Sequence, residues 1–207
     1  MASLESWITD QGLTGSDLSA LFSGVMERLL PEGLPVARAF LALPTVNPTI
    51  RVVSHIWTRS RGMLVDAVPH DRHLNAFEAS PLGYMLRKRL TKCHWHLDEP
   101  GIQRFAVFDE VEREGGTDYL ARLVGFDNQN APALRGVGIV FSSDRPGGFL
   151  AGEIERIDAL LPHPRSSATT PSINFTRTRS RWSSTWRSTM ARCSTATSAP
   201  RAVSTSP

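Results

Sequence analysis

The chain of 207 residues contains little cysteine and no long apolar run. Its two cysteines, Cys93 and Cys193, lie far apart in segments of different composition. That distribution argues against a disulfide framework and fits a reducing compartment. No stretch approaches the ~20 apolar residues that span a bilayer, and the N-terminal "MASLESWITDQGL" has acids and no apolar core, unlike a signal peptide. We therefore expect a cytoplasmic protein with no membrane partner.

Acidic residues are absent from the C-terminal segment 163–207. It contains seven Arg, 11 Ser and 9 Thr, so it carries +7, whereas the whole chain carries +3 and residues 1–162 carry −4. Large apolar groups are too few there to offset the entropy of ordering the backbone. We predict one folded domain over 1–162 and a disordered Ser/Thr/Arg-rich tail over 163–207. Our hypothesis for the abrupt change is a frameshift in a GC-rich coding sequence.

Helical periodicity recurs along residues 1–162. "SLESWITDQGL" predicts a helix capped by Ser3, and "DLSALFSGVMERLL" carries a broad apolar stripe at three- and four-residue steps, with Ser16 as its predicted cap. A further helix is predicted to start near Ser80 and Pro81. The segments "QRFAVFDEVEREGG" and "GEIERIDALL" complete the predicted helices.

Short runs rich in β-branched and aromatic residues predict strands between these helices. They cover residues 34–43, 51–59, 62–70, 91–97, 117–126 and 134–144. The first two are separated by "PTVNPT" and the last two by "DNQNAP", both typical of turns. The order of elements predicts an α+β fold, with a mostly antiparallel sheet flanked by helices.

Several aromatic side chains fall in or beside the predicted strands. Small ligands often bind between a sheet and its helices, so these side chains can line a sensor cavity. They can equally fill an ordinary core, and a core role is the safer prediction for most of them. The residues that we predict to line a ligand pocket are Trp57, Tyr84, Phe105, Phe126 and Phe141.

The segment "CHWH" contains the potential metal ligands Cys93, His94 and His96. In a strand the two histidines share a face and can bind a divalent metal ion, to which His70 and His73 can add ligands. A structural zinc site usually has four ligands at recognisable spacing, and no partner pair such as C-x-x-C exists. We therefore favour a polar strand and expect no metal or other cofactor.

The tail also suggests a nucleic-acid interface. Its arginines are interleaved with Trp182 and Trp186, which suits phosphate contacts and base stacking. A basic-tailed nucleic-acid-binding protein is therefore the alternative function. We favour an accidental composition, because no folded module in the tail shapes a groove.

Four stretches together point to a known family. They are "GLPVARAFLALPTVNPTIR", "SPLGYML", "EGGTDYLARLVGF" and "FSSDRPGGFLAGEIERIDALLP", of which "GGTDYL" and "DRPGGF" are the more specific parts. Over roughly residues 5–162 the chain resembles the N-terminal regulatory region of bacterial class III adenylate/guanylate cyclases. In that family such a segment, similar to a GAF-type sensor domain, precedes the catalytic domain.

The resemblance implies a sensor that binds a small effector or a second copy and transmits its state through the helix at 153–161. It does not extend to catalysis. The cyclase family needs two metal-binding aspartates, a base-recognising Lys/Asp pair and an Asn/Arg pair, and none of these motifs occurs here. We therefore assign no catalytic residue and expect a truncated, non-catalytic relative.

Overall fold

The computed structural model describes residues 3–70, 74–125 and 136–161. Within them the chain is α+β, as the sequence predicts, with six antiparallel strands and helices on both faces of the sheet. The predicted tail over 163–207 lies outside the described residues. None of the helices in the described part of the chain has the length and apolar content that a bilayer crossing requires.

Helices and strands follow the predicted order, with one additional short helix before the predicted start at Ser80. The helices are α1 Leu4–Leu13, α2 Leu18–Leu29, α3 Leu74–Glu78, α4 Pro81–Lys88, α5 Ala106–Arg113 and α6 Ala151–Ala159. The strands are β1 Val36–Pro44, β2 Ile50–Thr58, β3 Gly62–Pro69, β4 Lys92–His96, β5 Asp118–Gly125 and β6 Gly136–Ser143.

Side-chain caps explain where three of the helices begin. Ser3 accepts a hydrogen bond from the backbone N–H of Ser6, which confirms the predicted cap of α1. Ser80 accepts one from Gly83, which confirms the predicted start of a helix at Ser80 and Pro81. The prediction of Ser16 as the cap of α2 is wrong. Asp17 caps that helix through the N–H of Ser19, because the Ser16 hydroxyl instead donates to Oε1 of Gln11 at 2.8 Å.

The sheet has the strand order β3-β2-β1-β6-β5-β4, and every neighbouring pair is antiparallel. The turn between β1 and β2 is fixed by Asn47, whose Oδ1 accepts hydrogen bonds from the N–H groups of Thr49 and Ile50. β4 and β3 form the two edges, and the central strands β1 and β6 are bonded on both sides.

Alternation of side chains along the strands divides the core between the two faces of the sheet. The face covered by α1, α2 and α6, here called the α2 face, buries Met26, Leu29, Trp57, Phe141 and Ile157. The face covered by α4 and α5, the α5 face, buries Met85, Phe105, Phe108, Val111 and Tyr119. Each large apolar side chain buried in this way contributes about 1.5–3 kcal/mol to folding.

Candidate functional site

A pocket of about 310 Å³, here called the polar pocket because most of its lining residues are polar or charged, opens on the α5 face of the sheet. Its floor consists of Thr58, Arg38 and Ser142, which are paired neighbours on β2, β1 and β6. The end of α5 and the following loop form one wall, and the loops after β2 and β6 form the rim. The wall and rim residues are Val111, Glu114, Gly116, Arg59, Ser60 and Asp144, and Ala37 of β1 completes the lining.

Ion pairs fix the charged side chains of the pocket. Arg38, which is almost fully buried, donates to Glu110 Oε1 and to Glu114 Oε2, each at 2.9 Å. Arg61 also pairs with Glu114. Burial acts to lower the pKa of Arg38, but the two carboxylates outweigh burial and its pKa is raised. The guanidinium therefore stays charged and ties β1 to α5.

The Ser142 hydroxyl on the pocket floor is unsatisfied. It is buried and has no hydrogen-bond partner among the described residues. Its paired neighbour on β5 is Tyr119, and burial raises the pKa of that phenol, so it stays neutral. A buried polar group without a partner costs about 1–3 kcal/mol. Because the Ser142 oxygen is itself buried, a ligand in the pocket would recover that cost if the Ser142 side chain turned toward it.

The predicted pocket aromatics do not lie together. Tyr84 and Phe105 belong to an aromatic cluster on the α5 face, where their ring centroids are 5.8 Å apart. Trp57 and Phe141 lie in the core of the α2 face, on the opposite side of the sheet. Phe126 lies outside the described residues. The other members of the aromatic cluster are Trp95, Phe108 and Tyr119.

The "CHWH" segment forms β4 and separates its cysteine from its histidines. Cys93 points to the α5 face, where burial raises the pKa of its thiol against the smaller opposing effect of Arg122. His94 and His96 lie on the α2 face and contact Asp118. These three side chains, here called the His–Asp cluster, place their potential ligand atoms within 4.8 Å of one another.

Sequence reasoning missed Arg38, Ser142 and Asp118. Arg38 left a signal, because it is the single charged residue in the apolar run "LPVARAFLAL". A buried charge at such a position needs a partner, and here the partners are 72 and 76 residues away. Asp118 left a weaker signal, which is only an acidic residue at the start of a predicted strand in "GGTDYL". Its contact with the histidines depends on the pairing of β4 with β5, which the sequence does not give.

Comparison with the sequence models of known protein families and with curated protein sequences gives no match for this chain. The resemblance to cyclase regulatory regions therefore stays a prediction.

Proposed function

We propose that the folded part of the chain is a regulatory domain that binds a small polar effector, of the kind that precedes the catalytic domain of class III nucleotide cyclases. The Ser142 hydroxyl at the floor of the polar pocket, which has no hydrogen-bond partner in the described part of the chain, is the observation that carries this proposal. An antiparallel sheet flanked by helices supports it, because the resemblance implies that architecture. The binding of a second copy of the chain, which the resemblance also implies, stays a prediction.

The lining of the pocket favours a ligand of low net charge. Arg38 and Arg59 are both paired with carboxylates, so neither guanidinium is free to neutralise an anion. The remaining polar groups are hydroxyls, from Thr58, Ser60 and Ser142. The volume of the pocket lies at the lower end of the range for small-molecule sites. A compact molecule with hydrogen-bond donors and acceptors fits this environment.

Helix α6 is the element that would transmit the state of the pocket. Asp158 accepts hydrogen bonds from Arg122 Nε at 2.6 Å and from Lys92 Nζ at 2.8 Å, so α6 is tied to β5 and β4. β5 pairs with β6, which carries Ser142. A ligand can shift this network only if it binds one arrangement of the strands more tightly than another. The size of the shift is set by that difference in affinity.

Fragment binding tests the proposal. Saturation-transfer NMR would record which members of a polar fragment library bind the full chain, then repeat the measurement with Ser142→Ala and Ser60→Trp. The first variant removes the hydroxyl and adds no atom. The second places a large ring at the exposed rim of the pocket. Ser6→Trp is the matched control, because Ser6 is exposed on α1, which contributes no residue to the pocket lining.

We expect a set of fragments whose signals weaken in both pocket variants and persist in Ser6→Trp. Fragments that bind all four proteins equally would place the ligand elsewhere and contradict the proposal. A library without a single binder to the wild-type chain would do the same.

A further inference from the structure

Two imidazoles and one carboxylate meet on the α2 face beside the sheet edge formed by β4. His96 is the paired neighbour of Asp118 on β5, and His94 lies two residues earlier on the same face of β4. Nε2 of His94 is 2.7 Å from Oδ1 and 2.8 Å from Oδ2 of Asp118. Nδ1 of His96 is 3.3 Å from Oδ1. The pairing of the strands therefore brings three potential ligand atoms together, all within 4.8 Å of one another.

These separations are those of hydrogen bonds, and they also lie near the spacing of atoms that share one metal ion. Zinc binds histidine nitrogen and carboxylate oxygen at about 2.0–2.2 Å, which puts two ligands at tetrahedral or right angles about 3.0–3.4 Å apart. The observed distances of 2.7 to 3.3 Å lie close to that range. A small movement of the imidazole rings would admit an ion between the nitrogens and the carboxylate.

The loop that precedes α6 contacts the Asp118 carboxylate and fixes its position. Asp118 is fully buried, and its Oδ2 accepts a hydrogen bond from the backbone N–H of Phe149 at 2.7 Å. Gly148, at φ +70°, packs so closely that a Cβ there would lie 2.3 Å from the same oxygen. Such outer contacts orient the ligands of metal sites. Asp118 is thus fixed by contacts that leave Oδ1 facing the histidines.

The opposite side of the cluster faces solvent. The side chain of His94 is 24 % exposed and that of His96 is 42 % exposed, so an ion can enter and water can complete its coordination. Arg145 is the charged group nearby, and it interacts with Asp118 electrostatically. Its guanidinium is engaged by Glu153 and by the carbonyl of Gly148, which leaves Asp118 without a direct arginine hydrogen bond among the described residues.

We propose that His94, His96 and Asp118 form a binding site for a divalent first-row transition-metal ion, with Zn²⁺ as the fitting test ion. Imidazole nitrogen suits Zn²⁺, Cu²⁺, Fe²⁺ and Ni²⁺ better than Mg²⁺ or Ca²⁺, and one carboxylate completes a three-ligand set. Three protein ligands with a solvent-facing side describe an open site that a small molecule can also reach. This site is spatially separate from the polar pocket, which lies on the other face of the sheet.

Isothermal titration of Zn²⁺ into the full, tag-free chain tests the proposal, followed by the same titration of His94→Gln, His96→Gln and Asp118→Asn. His70→Asn is the matched control, because His70 contacts the Asn47 carbonyl and is not part of the cluster. We expect one Zn²⁺ per chain, a loss of affinity of at least about tenfold in each cluster variant, and no change in His70→Asn. Bound Zn²⁺ should also raise the melting temperature of the wild-type chain.

His96→Gln keeps the test decisive if Asp118→Asn fails to fold, because His96 is half exposed and lies on an edge strand. A wild-type chain that binds no Zn²⁺ at millimolar concentration overturns the proposal. So does binding that His94→Gln and His96→Gln leave unchanged, since the ion would then lie elsewhere. Titration with Mg²⁺ tests the selectivity of the site. If Mg²⁺ bound as tightly as Zn²⁺, the proposed set of ligands would be contradicted.

Discussion

Replacing Arg38 by methionine should destabilise the protein strongly. The substitution puts an unbranched apolar side chain in place of the arginine and leaves the carboxylates of Glu110 and Glu114 without their shared cation. Removing one partner of a buried ion pair costs about 3–5 kcal/mol, whereas an exposed pair contributes about 0–1 kcal/mol. The side chain of Arg38 is 9 % exposed, that of Glu110 17 % and that of Glu114 31 %. We therefore expect a loss of about 3 kcal/mol, at the lower end of the buried range.

Urea unfolding followed by far-ultraviolet circular dichroism measures this loss. With a slope of about 2 kcal/mol per molar urea, a loss of about 3 kcal/mol lowers the midpoint by about 1.5 M. A double-mutant cycle with Glu110→Gln separates the ion pair from packing. Glu110→Gln should lower the free energy of unfolding less in the Arg38→Met background than in the wild type. In that background it removes a carboxylate that already lacks its partner.

The exposed pair between Arg59 and Asp144 provides the control. Its N–O distance is 2.7 Å, shorter than either contact of Arg38, but its side chains are 42 % and 39 % exposed. Arg59→Met with Asp144→Asn should give a coupling energy below about 1 kcal/mol. If the Arg38 cycle gave a coupling no larger than this, burial would not be the deciding factor and the reasoning would be refuted.

Three further outcomes are expected. Gly148→Ala should unfold at lower urea than Gly147→Ala, because both replace a glycine at positive φ but the methyl group at 148 also meets the Asp118 carboxylate; equal midpoints would contradict this. Glu153→Gln should lower stability at neutral pH, with the difference from wild type shrinking as pH falls below about 4.3. A hydrogen bond from Arg145 lowers the pKa of Glu153, so its contribution is present above the unfolded pKa and is lost as pH falls through the folded one. The purified chain should convert no ATP to cyclic AMP above a heat-treated control.

Much of the fold could be predicted from the sequence because each element carries its own period. The apolar stripe of α2 recurs at helical spacing, and the strands alternate or are rich in β-branched residues. Local chemistry also located the Ser3 cap, the helix start at Ser80 and the turn around Asn47. These features depend on neighbours within a few positions, which is the range that a single sequence reveals.

The sites could not be predicted to the same extent, because they depend on how distant strands pair. Trp57 and Phe141 are both paired with Ala39, so they share the α2 face, while Tyr84 packs on the other side of the sheet. Side-chain alternation gives the relative facing of residues within one strand. It does not give the register between strands, which decides the facing of one strand relative to another. A list of aromatics therefore did not identify one cavity.

The two proposed sites share a segment of backbone although they open on opposite faces. Tyr119 pairs with Ser142 beside the polar pocket, and the next pair along the same two strands is Asp118 with Ser143 beside the His–Asp cluster. Because consecutive residues of a strand point to opposite faces, a rotation of β6 that moves Ser142 also moves the pair containing Asp118. If a pocket ligand and the metal ion each bind two arrangements of these strands with different affinity, the ligand changes the affinity for the metal ion, and linkage requires the metal ion to change the affinity for that ligand by the same factor.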